Sequence, residues 1–287
     1  MSTSATYTSR LRAVRDWLRR DRRAAASLAF LLLLVVVALL APSISPHVPS
    51  EQDLANILAP PSASHWLGTD DLGRDVFSRL LYGARVAIYA SFLAVGIAIL
   101  LGVPIGILAG FLGGWVDESV GRIIDTLLSF PAIVLAIAVT GALGIGLTNA
   151  MVAVGIVFAP QLARLARART LVVRQQLYVD AARCFGASHG HILWRHVLPN
   201  AIQPVLVQVT ILLAGALLAE ASLSFLGLGI QPPNPSWGAM LARAYQSMEI
   251  APEQMYAPGI AILLTALAFN SVGESLRREL DPTTKRI

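Results

Sequence analysis

Residues 178–200 read YVDAARCFGASHGHILWRHVLPN and sit between two long apolar runs. The stretch holds two arginines, three of the chain's five histidines, its only cysteine and a closing Leu-Pro. Residues of these types serve a metal site, a hydrolase elbow, a docking surface or a plain loop, and spacing separates the four. Tyr178, Ala181, Ala182 and Phe185 recur at i, i+3, i+4 and i+7, which predicts one apolar face of a short helix. Asp180 and Arg183 fall off that face, toward water or a partner. Gly186 predicts the helix end, where a left-handed cap suits glycine. Ser188 can cap a second helix on which Ile192, Leu193 and Val197 repeat an apolar side, and Pro199 is expected to end it. The predicted product is helix, glycine turn, helix. A solvated loop has no need of such order; a docking element does.

Outward from this stretch the chain is built for lipid. Its 287 residues are 55% hydrophobic and 14% charged, against about 25% charged in soluble domains. Mean hydropathy is +0.65. A span needs about 17–25 apolar residues, because a helix rises about 1.5 Å per residue through about 30 Å of hydrocarbon. The segments that qualify are 24–41, 86–109, 126–143, 147–163, about 203–223 and 256–272. Each must pair its own backbone groups in lipid, and alternating barrel-type patterning is absent, so helices are required. The expected architecture is an all-α membrane protein with six transmembrane helices.

Charge gives the orientation. The formal net charge of +5 resembles a nucleic-acid signal only until the charges are placed. With the N-terminus in the cytoplasm, all but Arg74, Arg79, Arg85 and Arg243 of the 22 Lys and Arg residues fall inside, the bias expected of cytoplasmic loops. Both termini, the basic segment 1–23, the tail 277–287 and the 178–199 element are then cytoplasmic, and no nucleic-acid partner is expected. The arginine-rich start and apolar core of 24–41 suit an uncleaved signal anchor, since no clear Ala-x-Ala site follows. One cysteine excludes an internal disulfide framework.

Residues 42–83 and 226–255 are the larger extracytoplasmic segments. Prolines 42, 46, 49, 60 and 61 keep the first extended or turned, and its second half, HWLGTDDLGRDVFSRLLYGAR (65–85), reads as turns leading into an amphipathic helix. Asp70, Asp71 and Asp75 suggest a calcium loop, but position twelve from Asp70 is Leu81, not the closing Glu, which leaves capping and turn roles. Gly102, Gly106 and Gly110 recur at four-residue steps on one helix face, the pattern of close helix packing, with Pro104 expected to kink that span. Pro232-Pro233-Asn234-Pro235 cannot be regular helix, and the proline in Asn234-Pro235-Ser236 rules out a glycosylation acceptor.

Catalysis finds little support. Gly186-Ala187-Ser188-His189-Gly190 matches the G-x-S-x-G elbow by letter. That motif sets its serine on a strand-to-helix turn with acid and histidine supplied from further along. Here the preceding residues pattern as helix, and His191 and His196 are too local, so no catalytic residue is expected. Cys184, His189, His191 and His196 lack the i, i+4 pairing and flanking acid of a zinc protease site, so no metal is expected. A Walker A loop needs a lysine after its glycine, and the only lysine, Lys285, sits in Thr284-Lys285-Arg286. Ionisable groups within the bilayer cost about 2.5–3.5 kcal/mol each on insertion scales. Glu220, toward the outer end of its span, is the clear candidate for one and for a place in a translocation pathway. A membrane protein with neither an ATP site nor a rich ionisable core draws its energy from a cytoplasmic partner.

The permease subunits of ABC importers carry a cytoplasmic signature: Glu-Ala-Ala, three residues, Gly, nine residues, an apolar position, one residue, Leu-Pro. The chain resembles it in Asp180-Ala181-Ala182, Gly186, His196 and Leu198-Pro199, with aspartate for glutamate and histidine at the apolar position. HWLGTDDLGRDVFSRLLYGAR, RHVLPN and EASLSFLGLGIQPPNPSWGAML are similar to the C-type permease subunit of dipeptide and oligopeptide importers, a group that includes nickel and glutathione importers. The resemblance implies a type I ABC importer permease fold in the bacterial cytoplasmic (inner) membrane, with the first span at 24–41 and a permease core at 84–276. It implies a sister permease completing a heterodimer, two cytoplasmic ATPase subunits that hold ATP and Mg, and an extracytoplasmic solute-binding protein. The chain itself is then no enzyme and holds no cofactor. Asp180, Ala181, Ala182, Gly186, Leu198 and Pro199 become ATPase-coupling residues. Di- and oligopeptides are the first expected solutes, ahead of a nickel chelate, glutathione or another small solute. A hydrolase acting through Ser188 and a proton-coupled carrier acting through Glu220 are the competing expectations.

Overall fold

The computed structural model describes residues 21–280. Most of the basic segment 1–23 and the end of the 277–287 tail lie outside the described residues. In chain order the helices are α1 (Arg22–Ile44), α2 (Val76–Leu112), α3 (Gly114–Leu128), α4 (Ala132–Leu143), α5 (Leu147–Val173), α6 (Leu177–Cys184), α7 (His189–Ile192), α8 (Leu198–Phe225), α9 (Trp237–Gln246) and α10 (Tyr256–Leu280). Asp21 starts α1 by accepting the Ala24 N–H at 3.1 Å, the capping that aspartate favours. α1 packs along α2 and α10 at the edge of the bundle and exposes Leu32, Leu33 and Leu39, a surface suited to lipid.

Five stretches are long and apolar enough to cross a bilayer: α1, α2, α5, the run His189–Phe225 and the run Pro252–Leu280. The sixth expected span, 126–143, is not one helix. α3 and α4 meet at 94° across Ser129-Phe130-Pro131. Pro131 has no N–H to give, and its ring disfavours helical backbone at Phe130. Residues 126–128 belong instead to α3, which carries Asp117, Glu118, Arg122 and Asp125. The 12 residues of α4 extend about 18 Å, short of the hydrocarbon thickness.

The bent pair nevertheless joins the two faces. Near its start, Arg167, at the end of α5 that the charge bias assigns to the cytoplasm, clasps Asp117 with bonds of 2.5 and 2.8 Å. Just past its end, the Gly146 N–H donates to the Leu228 carbonyl, beyond the outer end of α8, at 3.4 Å. Counting the bent pair as one span, the described residues supply up to six crossings, one of them broken. An even number of crossings returns it to its starting face, and Arg278 of α10 indeed lies 3.2 Å from Asp21.

α2 and α5 form the centre of the molecule. A Cβ at Gly102 would stand 2.3 Å from the Ala159 carbonyl oxygen, at Gly106 2.2 Å from that of Ala163, and at Gly110 2.7 Å from that of Arg167. Both helices step by four residues, so their backbones run in contact along the glycine face. In lipid, where apolar surface gains little by leaving its solvent, such close approach is what helix association rests on. Ala94, Ala98, Met151, Val154 and Leu162 fill the space alongside, with Leu213 and Leu217 of α8 closing the core. α2 runs through Pro104 without a break in its helix.

Candidate functional site

The 178–199 element hangs from the ends of α2 and α5 that the charge bias assigns to the cytoplasm. Arg174, at the end of α5, donates to the carbonyls of Gly110 at 3.0 Å and Phe111 at 3.2 Å, holding the end of α2. α6 follows, and the turn after its Phe185 cap runs through Gly186, whose φ is +78°. Nothing lies within 4 Å of a Cβ placed there, so glycine serves the left-handed turn and not a tight space. Ser188 then accepts the His191 N–H at 3.3 Å and caps α7.

A small core of its own holds this element: Val179 packs with Val173, Ile192 and Val197, bordered by Phe111, Ala182 and Ala187. The face that the heptad-like spacing selects for packing points the other way. Tyr178, Ala181 and Phe185 are exposed, Phe185 at 91% and the neighbouring Leu177 at 87%. Only Ala182 of the predicted set is partly covered. Asp180 is also exposed and pairs with Arg183 at 3.1 Å.

Pro199 does not end the second helix. A wider π turn, Leu193–Val197, in which the Leu198 N–H reaches back to the Leu193 carbonyl, carries α7 straight into α8. Pro199 sits in the first turn of α8, where it lacks the N–H that a regular helix would aim at the Arg195 carbonyl. A π turn accommodates that gap. The Asn200 side chain donates to the His196 carbonyl at 2.7 Å in the same place. The result is one 37-residue run, His189–Phe225, about 55 Å long at helical rise. Its foot is the exposed element, and its head reaches the opposite face of the bundle.

The polar residues of the stretch are accounted for structurally. Ser188 acts as a helix cap. His196, in the signature's apolar position, is half-buried with its ring centroid 6.1 Å from Tyr178 and 5.8 Å from His191. His189 meets Phe111 edge-on at 6.3 Å. Cys184 is exposed and free.

On the outer side, Glu220 is 1% exposed and accepts from Ser224 Oγ at 2.7 Å. Ser224 Oγ in turn accepts the Ile230 N–H at 3.3 Å, so the carboxylate belongs to the fastening of the following loop onto α8. Nearby, Asp70 and Asp71, for which the sequence suggests only capping and turn roles, anchor a cluster of ion pairs. Asp70 takes Arg74 Nε at 2.7 Å and faces Arg79 Nε at 3.4 Å, while Asp71 takes Arg243 Nη1 at 2.8 Å. Arg79 also donates to the Pro49 carbonyl at 2.7 Å, and the indole of Trp237, 2% exposed, donates to the Leu80 carbonyl at 3.0 Å. The signal lies in the charge map: Arg74, Arg79 and Arg243 are three of the arginines kept on the side where arginine is disfavoured. Asp75 caps α2 by accepting the Ser78 N–H at 2.8 Å, and His65 Nδ1 lies 3.0 Å from its other oxygen. Ligand-type atoms of His47, His65 and Asp75 come within 4.8 Å of one another. Each is engaged in a hydrogen bond, His47 Nε2 to the Ser64 carbonyl at 2.9 Å, and these bonds account for the grouping.

Residues 102–286 match the family of binding-protein-dependent transport system inner membrane components. The chain belongs to that family. Residues 9–61 of this permease also match the N-terminal transmembrane domain of oligopeptide transport permease C. The permease is 47% identical over 268 residues to the glutathione transport system permease protein GsiD of Escherichia coli O6:K15:H31, covering 93% of this chain and 88% of that one. Identity to the GsiD of Shigella dysenteriae serotype 1 is 46% over the same extents. Among solved structures, an inward-facing conformation of the MetNI methionine ABC transporter covers 71% of this chain and 96% of its own, with a TM-score of 0.59 at 20% identity, a likeness of fold. The permease is a multi-pass inner-membrane component of a binding-protein-dependent ABC importer. It is not the ATPase and needs no cofactor of its own.

Proposed function

We propose that this permease forms half of the membrane pathway of an ATP-driven importer for glutathione or small peptides of similar chemistry. The supporting observation is the identity to GsiD over nearly the whole chain. It moves glutathione ahead of the general di- and oligopeptides that the motifs put first, and a nickel chelate falls further behind. A sister permease supplies the other half, two ATPase subunits drive the pair, and an extracytoplasmic binding protein delivers the solute.

The docking surface for an ATPase subunit is the exposed side of the 178–199 element within the 84–276 core. Leu177, Phe185 and Trp194 are exposed apolar groups at the foot of the long α7–α8 run, and Asp180 with Arg183 gives the surface a charged edge. Closure of the ATPase pair around ATP pulls on this foot. The continuous helix carries the displacement toward the outer face, so the pathway opens alternately to either side. Asp180, Ala181, Ala182 and Gly186 shape the contact, and Leu198 and Pro199 join it to the span.

The test is uptake of labelled glutathione by cells that lack their own importer and carry this permease with its full set of partners. Uptake is expected with the wild type and with Ser188→Ala. Phe185→Asp is expected to abolish it at unchanged membrane content. Wild-type cells that take up other peptides but no glutathione would remove the solute assignment. Normal uptake by Phe185→Asp would remove the docking assignment.

A further inference from the structure

A groove of about 680 Å³ lies between the cytoplasmic halves of α5, α8 and α10. Its size falls within the range of about 300–1,000 Å³ typical of small-molecule sites. The polar lining consists of Arg169, Asn200, Gln203, Gln208 and Arg277. Asn200, Gln203 and Gln208 flank one line along α8 and climb about 12 Å from its cytoplasmic end. An amide turned toward hydrocarbon is costly, and three on one face of a spanning helix mark a wall that meets water. Pro204, also in the lining, has no N–H for the Asn200 carbonyl, which leaves a further acceptor at this wall.

The charges give the groove its chemistry. Arg169 and Arg277 are exposed at its cytoplasmic end, and among the described residues neither forms an ion pair. No aspartate or glutamate is among the described lining residues. These two guanidiniums, without an acidic partner among the described residues, offer forked donors matched to a carboxylate. The amide side chains both donate and accept, as peptide groups do. A wall of this kind suits an extended peptide with a net negative charge.

We infer that this groove is the permease's own wall of the solute passage, and that Arg169 and Arg277 receive a carboxylate of an anionic peptide as it passes toward the cytoplasm. The inference rests on the glutathione reading and adds to it the residues and the chemical feature recognised. Because the binding protein captures the solute first, these arginines act on passage and not on capture. Their loss therefore lowers maximal uptake and leaves the half-saturating concentration in place. A purely structural role would slow every solute alike.

The experiment uses the complete importer in cells with a Cys184→Ser permease. Arg169→Gln combined with Arg277→Gln is expected to lower maximal glutathione uptake about tenfold. Uptake of an uncharged peptide amide carried by the same importer stays within twofold, and Arg169→Lys retains more than Arg169→Gln. Unchanged glutathione uptake in the double variant overturns the inference. So does an equal loss for charged and uncharged solutes together with loss of a bound anionic phospholipid in native mass spectrometry, which would make the groove a lipid site. A second arm does not depend on the solute assignment. A cysteine introduced as Gln208→Cys is expected to react faster with an anionic than with a cationic methanethiosulfonate, a preference lost when both arginines are replaced. No reaction, or no charge preference, also overturns the inference. Absence of glutathione uptake in the wild type with the reagent preference intact would fault the solute and leave the groove's selectivity standing.

Discussion

Gly106 and Glu220 are single residues whose surroundings fix what a substitution should do. A Cβ at Gly106 would meet backbone atoms of Ala163, with no flexible side chain to move aside. Gly106→Val must push α2 away from α5, and overpacking of this kind costs about 1–3 kcal/mol. Melting of the purified permease should fall by roughly 2–4 °C for each kcal/mol. Gly96, on the same helix, has nothing within 4 Å of a built Cβ. Gly96→Ala should therefore melt at or slightly above the wild type, since alanine is favoured by about 1 kcal/mol in a helix interior. Equal melting of Gly106→Val and wild type would remove the close-packing account. Glu220→Gln keeps an oxygen that can accept from Ser224, but it loses the charge and turns the other oxygen into an amide donor. If Glu220 only fastens the outer loop, uptake stays within about twofold, because the loop keeps a hydrogen bond from Ser224 and no proton has to move. Collapse of uptake in Glu220→Gln would restore a proton-coupled carrier as the better account.

The elements show where periodicity informs and where it stops. Gly186 has a left-handed backbone and open space around it, so strain alone sets its tolerance. Asparagine enters that region more readily than alanine. Peptide uptake should rank wild type, Gly186→Asn, Gly186→Ala, Gly186→Pro in falling order, and Gly186→Ala matching Gly186→Asn would count against a conformational role. The glycine turn and the cap at Ser188 are legible because each rests on local backbone chemistry. The packed side of α6 is not, since Val179 and Ala182 face inward while Leu177, Tyr178, Ala181 and Phe185 face out. Both sides are apolar, and spacing finds a stripe without saying what covers it. The break in 126–143 hides for a related reason. A hydropathy window averages over Pro131, and the amphipathic end of α3 borrows apolar weight from α4. At Pro199 the rule that proline ends a helix gives way to a widened turn, which local sequence does not announce.

At the scale of the whole molecule, two layers of different firmness cap one membrane core. The outer layer is held by partners remote in sequence: Asp71 and Arg243 lie 172 positions apart, and Leu80 and Trp237 lie 157 apart. No local pattern reveals such pairs, although the misplaced arginines hint at them. The cytoplasmic layer rests on the few side chains around Val179 and presents Leu177 and Phe185 to solvent. Local opening follows the number of buried contacts, which predicts opposite behaviour for the two layers in amide hydrogen exchange. In the purified permease alone, residues 70–80 and 237–245 should exchange slowly, while 177–190 exchange orders of magnitude faster. Adding the ATPase subunits should slow 177–190 and leave the outer segments unchanged, because the proposed docking would bury the apolar foot without touching the outer layer. Slow exchange of 177–190 in the lone permease would show an element already closed on itself. Protection of the outer segments alone would place the ATPase-driven change at the wrong end of the α7–α8 run.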